Sequence, residues 1–207
     1  SAYHWLGNVL GNVGRDAEGL AAVQRATELD PYSAVIWSAL ADKQAVLGRD
    51  SAAKVSLQRA IELAPGNWSY HGGLAVLLVL EGDANAALRE IKAIPDSGLV
   101  AVDLATKAFV LARAGHRAEA EPMVHQLERL AAKSPNLASA LGYAYLGTNE
   151  TARALDLFIG SAERGDSELG VSAREYAPIR SLPRYPELLR KLKLQDQPIA
   201  NIKARAK

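Results

Sequence analysis

The chain has no cysteine among its 207 residues. That excludes disulfides, thiolate metal sites and a cysteine nucleophile, and it is compatible with either a cytosolic or an exported location. Long apolar runs are also missing. The longest, Leu74 to Leu80 (LAVLLVL), falls far short of the roughly 20 residues that cross a bilayer, so no membrane span is expected. β-Branched runs are scarce, whereas Leu, Ala and charged residues dominate a chain that is 49% hydrophobic. An all-helical protein is favoured on those grounds. No signal peptide opens the chain; it begins without Met, inside a helical pattern, and is read as a fragment of a longer protein. The expected location is the cytoplasm, or the periplasm if a transmembrane segment lies upstream.

Recognisable chemistry is missing too. None of the four histidines (His4, His71, His116 and His125) pairs with another His or a carboxylate at the i, i+4 spacing of a helical metal site, apart from His125 with Glu121, a common surface pair. The stretch GNVLGNVG at 7–14 has the look of a nucleotide loop. It follows no strand and lacks both the dinucleotide and the phosphate-loop spacing, and its glycines fall where helix packing wants small residues. There is no G-x-S-x-G and no carboxylate pair set in a loop pocket. No enzyme, catalytic residue, cofactor or metal is expected within these residues.

Net charge is +1 but uneven: residues 180–207 carry eight Lys/Arg against Glu187 and Asp196, a balance of +6, leaving the body at −5. A basic end can signal a nucleic-acid or membrane tail. It more often marks a solvated terminal helix with a frayed end, and useful DNA affinity needs several phosphate contacts. Nucleic acid is therefore not an expected partner.

What the sequence does contain is a period. Trp37 to Pro65, WSALADKQAVLGRDSAAKVSLQRAIELAP, moved back by roughly 34 positions, lies over Tyr3 to Pro31, YHWLGNVLGNVGRDAEGLAAVQRATELDP. Leu40 falls on Leu6, Gly48-Arg49-Asp50 on Gly14-Arg15-Asp16, Leu57 on Val23, Ala60 on Ala26 and Pro65 on Pro31. Each unit reads helix, tight turn, helix. Leu6 and Leu10 are expected to face the second helix of the first unit. Gly14 should supply a left-handed turn, with Asp16 as N-cap, and Asp50 or Ser51 should cap the matching helix of the second unit.

These two units resemble tetratricopeptide repeats. The family pattern of an aromatic, Leu-Gly/Ala, a large residue, Gly, Ala, a large apolar residue, Ala and Pro is met by Tyr3, Leu6-Gly7, Leu10, Gly14, Val23, Ala26 and Pro31. It is met again by Trp37, Leu40-Ala41, Gly48, Ala53, Leu57, Ala60 and Pro65, with Gly19 and Gln44 as departures. A third unit keeps Leu74-Ala75, Leu78, Gly82-Asp83, Ala87 and Ile91, but its second helix ends early at Pro95. It also carries Gly72 and Gly73, for which close packing and room for a ligand are both open. A fourth reads Leu104, Ala108, Leu111, Gly115, Ala120, Val124 and Leu127, with Pro122 expected to kink or delay its second helix. A fifth reads Leu141-Gly142, Tyr145, Ala154 and Phe158, with Asn149 taking the left-handed turn.

The resemblance implies an all-α, right-handed superhelix of about five helix pairs. Its units fall near 1–32, 33–66, 67–96, 97–135 and 136–165, followed by capping helices over 166–194 and a flexible tail over 195–207. Asp166-Ser167-Glu168 could cap a short helix to about Ala173, and Pro186 to Leu192 form a last helix with Leu188, Leu189 and Leu192 as its apolar stripe. A cap is physically required, because an open solenoid end exposes an apolar face. Ile179-Arg180, Pro183-Arg184-Tyr185 and Leu188-Leu189 are similar to the ending of such arrays in bacterial regulators and cyclases.

In the family, the first helices line a concave groove that holds a segment of another protein. Carried over, the groove positions are His4, Asn8, Val35, Ser38, Asp42, Ser69, Gly72, Val76, Val102, Ala105, Phe109, Ser139 and Tyr143. Members that clamp a terminal carboxylate use Lys and Arg with Asn; here Asn8 matches, no Lys or Arg does, and Asp42 has the opposite sign. The groove is expected to be small and apolar, with Phe109 and Tyr143 as anchors. The implied function is a protein–protein interaction scaffold for a protein or peptide within a larger bacterial regulator, with a homodimer left open. The other reading is an accessory substrate-holding or dimerisation domain of an enzyme such as a cyclase or transferase. The chain's own end could also fill the groove.

Overall fold

A computed structural model describes residues 1–95, 98–165 and 173–194. The short helix expected from Asp166 and the tail over 195–207 lie outside the described residues. Those residues form helices and turns, with no strand among them. Five consecutive helix pairs build the body: α1 (Ala2–Asn12) with α2 (Asp16–Leu29), α3 (Ala34–Val46) with α4 (Asp50–Leu63), α5 (Trp68–Glu81) with α6 (Ala84–Ile91), α7 (Ala101–Arg113) with α8 (Arg117–Lys133), and α9 (Ala138–Gly147) with α10 (Thr151–Arg164). A short 3-10 turn, Pro135–Leu137, leads into α9. A second 3-10 segment, Arg174–Ile179, precedes the last helix, α11 (Tyr185–Lys191). Each first helix packs on its own second helix and on the second helix of the preceding pair, the layering of an α-solenoid.

The turns follow from residues that tolerate positive φ. Gly14, Gly48, Gly82 and Gly115 sit there, and Asn149 takes the same conformation at φ 68° in the fifth pair, as expected. The caps differ from expectation in one respect. Asp16 and Asp50 are the first helical residues, and the cap positions are held by Arg15 and Arg49 without a side-chain cap bond. The physical reason is the inserted Arg: in the third pair, where Asp83 directly follows Gly82, Asp83 is the N-cap and accepts from the Ala86 N–H at 2.9 Å. Asp16 and Asp50 still place a carboxylate at the positive end of the helix dipole.

Both departures from the repeat pattern have a structural cause. At Gly19, α1 and α2 cross so closely that a Cβ on Gly7 would lie 2.4 Å from Val23 Cγ2 and 3.0 Å from the Gly19 carbonyl oxygen. Gln44 is buried, and its Oε1 accepts from the Ser56 hydroxyl at 2.7 Å, so a polar pair replaces an apolar one without leaving a group unsatisfied.

The middle of the array is irregular. Helix α6 stops at Ile91, four residues before Pro95, and spans 8 residues where α2 and α4 each span 14. Pro122 does not delay α8: the helix starts at Arg117 and runs through to Lys133, with Ala120, Val124 and Leu127 anchoring both sides of the proline in the core. Leu6, expected against α2, is half exposed, whereas Leu10 lies beside Gly19.

The C-terminal end closes the array. Ile179 and Leu188 are fully buried, and Leu189 nearly so. Helix α11 is tied to α10 by Lys191 to Glu163 at 2.8 Å and by Arg184 to Asp156.

Candidate functional site

The concave side carries a cleft of about 410 Å³. Helix α3 supplies Asp42 and Lys43, α5 supplies Ser69, Gly72 and Val76, α7 supplies Val102, Asp103 and Thr106, and α9 supplies Tyr143. The remaining wall is the chain's own C-terminal segment, through Ala173, Glu175 and Tyr176. A period of 34 explains part of this convergence: Ser69 and Asp103 stand one period apart on neighbouring first helices, and the Ser69 hydroxyl donates to Asp103 Oδ1 at 3.1 Å.

The C-terminal segment is held in place by polar and aromatic contacts. Arg174 spans 124 residues of chain to donate from Nη1 to Asp50 Oδ2 at 2.8 Å, and from Nη2 to the Leu80 carbonyl at 3.0 Å. Arg180 Nη2 donates to the Ala173 carbonyl at 2.6 Å, folding the segment back on itself. The Tyr176 ring packs tilted on Phe158 at 5.4 Å and on Tyr143 at 6.0 Å. Tyr143 in turn stacks on Phe109 at 4.8 Å. Thus four aromatic rings from α7, α9, α10 and the 3-10 segment form one row, in the offset and tilted geometries aromatic quadrupoles favour.

Electrostatically the cleft is acidic, with Asp42, Asp103 and Glu175 against Lys43. Asp42 reaches solvent through the mouth of the cleft, yet the surrounding walls strip enough water that desolvation pushes its carboxyl up to about 6, with Lys43 opposing. Glu175 is pushed up to about 7, first by desolvation and then by the like charges of Asp42 and Asp50, against its own backbone N–H and Arg180. The Tyr143 hydroxyl is held well above its usual range, first by burial and then by Glu175 and Tyr176.

Of the residues expected in the groove, Asp42, Ser69, Gly72, Val76, Val102 and Tyr143 do line the cleft. Ala105 and Phe109 lie in the core at 1% and 2% exposure, so Phe109 is a floor beneath Tyr143 and not a surface anchor. Val35 is exposed beyond the cleft, Ser38 and Ser139 are half-buried outside it, and Asn8 lies within 3.3 Å of His4 Nε2 on α1. Most of the lining is apolar, and beside the expected Asp42 it holds two further carboxylates, Asp103 and Glu175.

The Gly72-Gly73 pair serves close packing, since an added Cβ would meet Thr106 Cγ2 at 3.1 Å and Leu57 Cδ2 at 3.3 Å respectively. Gly72 and Gly73 also form part of the cleft wall. Sequence reasoning missed Lys43, Asp103, Thr106, Glu175 and Tyr176. The first three adjoin expected positions on the same helices and could have been found from the repeat register. The last two are placed by the return of the C-terminal segment, which no period encodes.

A second cleft, of about 370 Å³, opens between α6 and α8 where α6 stops short. Lys107 lies at its edge, 7% exposed, donating to the Ile94 carbonyl at 3.1 Å. Among the described residues no group of three His, Asp or Glu gathers as a metal site would require, and no helix is long and apolar enough to cross a membrane.

Residues 1–33 match the family model described as tetratricopeptide repeat. No curated protein matches the chain.

Proposed function

We propose that this chain, a tetratricopeptide repeat protein by its matched first unit and its five stacked helix pairs, holds a basic, extended segment of another protein in the cleft between α3, α5 and α7. Tetratricopeptide repeats mediate protein–protein interaction, and the chain is such a scaffold. The observation that carries the finer reading is the sign of the cleft. Asp42 and Asp103, with Glu175 about half ionised at neutral pH, outweigh Lys43.

A Lys or Arg side chain entering there relieves the mutual repulsion of Asp42 and Glu175 and gains charge-assisted bonds. A terminal carboxylate would meet like charge. The exposed Val102 and the half-buried Tyr143 are there for the apolar part of a bound segment. No catalytic role is assigned to these residues.

The ending Ile179 to Leu189, whose Ile179, Tyr185, Leu188 and Leu189 are buried as a cap, supports a place for the array in a larger bacterial regulator. Selection of peptides from a random display library on the wild-type chain and on an Asp42→Lys variant tests the cleft. Enrichment of Lys and Arg on the wild type, lost on the variant, is the expected result. Enrichment of acidic peptides, or identical selections on both proteins, would refute it.

A further inference from the structure

In an α-solenoid each unit touches its neighbours, and pairs far apart along the array do not meet. The 3-10 segment Arg174–Ile179 breaks that rule. It touches α5, α9 and α10 at once, and Arg174 reaches Asp50 at the start of α4 and the Leu80 carbonyl near the end of α5. One stretch of chain thus ties the second and third pairs to the fifth across the concave side. Its two ends are held unequally. Ile179 is fully buried in the terminal cap, whereas Arg174 is exposed. A stretch held at one end by exposed polar contacts opens at far less cost than the array unfolds.

Between those ends the segment turns Glu175 and Tyr176 into the cleft. Glu175 arrives where carboxylates already converge. Helix α3 presents Asp42 and Lys43, α4 presents Asp50, engaged by Arg174, α7 presents Asp103, and α9 presents the Tyr143 hydroxyl. The residues that line the cleft from α5 carry no charge, and α10 meets the segment through the Phe158 ring. Desolvation comes first in pushing the Glu175 carboxyl up to about 7, with Asp42 and Asp50 adding to it and its own backbone N–H and Arg180 opposing. Asp42 and Asp103 belong to helices of the array. Glu175 is the one of the three carried by a segment that can leave.

We propose that residues 173–176 are a gate on the cleft: the segment stays seated while Glu175 is protonated, and ionisation of that carboxyl beside Asp42 lifts it from the concave face, pivoting on the buried Ile179. Seated, it walls the cleft with Glu175. Lifted, it takes Glu175 away and bares the Tyr143 and Phe158 rings on which Tyr176 packs. The gate acts on the cleft whichever segment enters it, and so goes beyond the choice of a basic partner. Linkage gives the direction. A carboxyl whose seated pKa of about 7 lies above its free value of 4.5 favours the seat fully below pH 4.5, and loses that preference as pH rises through 7.

Hydrogen exchange on the intact chain at pH 5 and pH 8, corrected for intrinsic rates, tests the gate through the Tyr176 amide, which donates to the Ala173 carbonyl at 3.2 Å. Its protection should fall at least about tenfold at pH 8, while α9 and α10 keep theirs. The fall should vanish in Glu175→Gln and shrink in Asp42→Asn. On the wild-type chain, the Glu175 carboxyl carbon followed by NMR should titrate near 7, in step with the loss of Tyr176 protection. Protection at Tyr176 that is flat with pH, a fall shared by α9 and α10, an equal fall in Glu175→Gln, or a carboxyl that titrates near 4.5 would overturn the proposal.

Discussion

Gly147→Ala and Gly160→Ala make the same chemical change on the two helices of one pair, and should move stability in opposite directions. At Gly147, an added Cβ would lie 2.5 Å from Phe109 Cα and 3.0 Å from the Phe109 carbonyl oxygen. Carbon atoms rest at about 3.5–4.0 Å, so α7 and α9 must separate by about 1 Å, and backbone cannot rotate aside as a side-chain tip can. Overpacking of this kind costs about 1–3 kcal/mol, while the helix-propensity gain of Ala over Gly is at most about 1 kcal/mol.

The expected net loss is about 1–2 kcal/mol, or a Tm lowered by about 3–6 °C for a chain of this size. At Gly160 the nearest atom is Arg164 Nη1 at 3.2 Å, the far end of a flexible side chain. Only the propensity term remains there, and a gain of about 0.5–1 kcal/mol is expected. Urea and thermal melts followed at 222 nm give both signs in one series. Gly147→Ala matching the wild type, or both variants moving together, would refute the close α7–α9 contact and the floor it builds under Tyr143.

Three further outcomes follow from the charged contacts. Glu128 accepts from the Tyr145 hydroxyl at 2.6 Å, pairs with His125 at 2.9 Å and with Arg153 at 3.2 Å, and is held at about 2 by those partners, Tyr145 first. A carboxylate with a depressed folded pKa stabilises above its unfolded value of 4.5, and that contribution is lost as pH falls towards 2. Glu128→Gln should therefore flatten the acid limb of a stability–pH profile, and an unchanged limb would count against the network.

Glu175 behaves in the opposite sense, because its folded pKa of about 7 lies above 4.5. Its penalty, set first by desolvation, grows as pH rises from 4.5 to 7, with Asp42 and Asp50 adding to it and its own backbone N–H and Arg180 opposing it. Glu175→Gln should stabilise the chain at pH 8 more than at pH 5, measured by paired melts. Arg174→Ala removes the Asp50 and Leu80 contacts from a partly exposed side chain, where ion pairs contribute little to global stability. Hydrogen exchange over 174–180 should accelerate with the melting temperature nearly unchanged, and unaltered exchange would show that Tyr176, Ile179 and Arg180 anchor the segment without Arg174.

The array was legible because its information is local and periodic. Gly48 on Gly14, Leu40 on Leu6 and Ala60 on Ala26 specify turn, stripe and crossing within one unit, and the helices form where those residues put them. Asn149 was readable for the same reason, as a conformational substitute for Gly. The cleft was only half legible. Asp42, Ser69, Gly72 and Val102 follow from the repeat register. Glu175 and Tyr176 arrive there through Arg174, whose partner Asp50 is 124 residues away, and no spacing rule carries that distance. Phe109 was misjudged as a surface anchor because a helix stripe does not tell which of two neighbouring apolar positions lies under the other; Tyr143 covers it. The caps erred by one residue because the inserted Arg15 and Arg49 move the first helical turn, a shift that only backbone geometry records.

The central claim, that the cleft receives a basic segment, is tested most directly by titrating the isotopically labelled chain with two peptides of equal length and apolar content, one bearing Lys and Arg, the other Asp and Glu. The account predicts amide shifts at Asp42, Ser69, Gly72 and Thr106 with the basic peptide only, and their loss in Asp42→Lys. Cleft shifts with the acidic peptide, or basic-peptide shifts confined to the outer helices α2, α4 and α8, would contradict it.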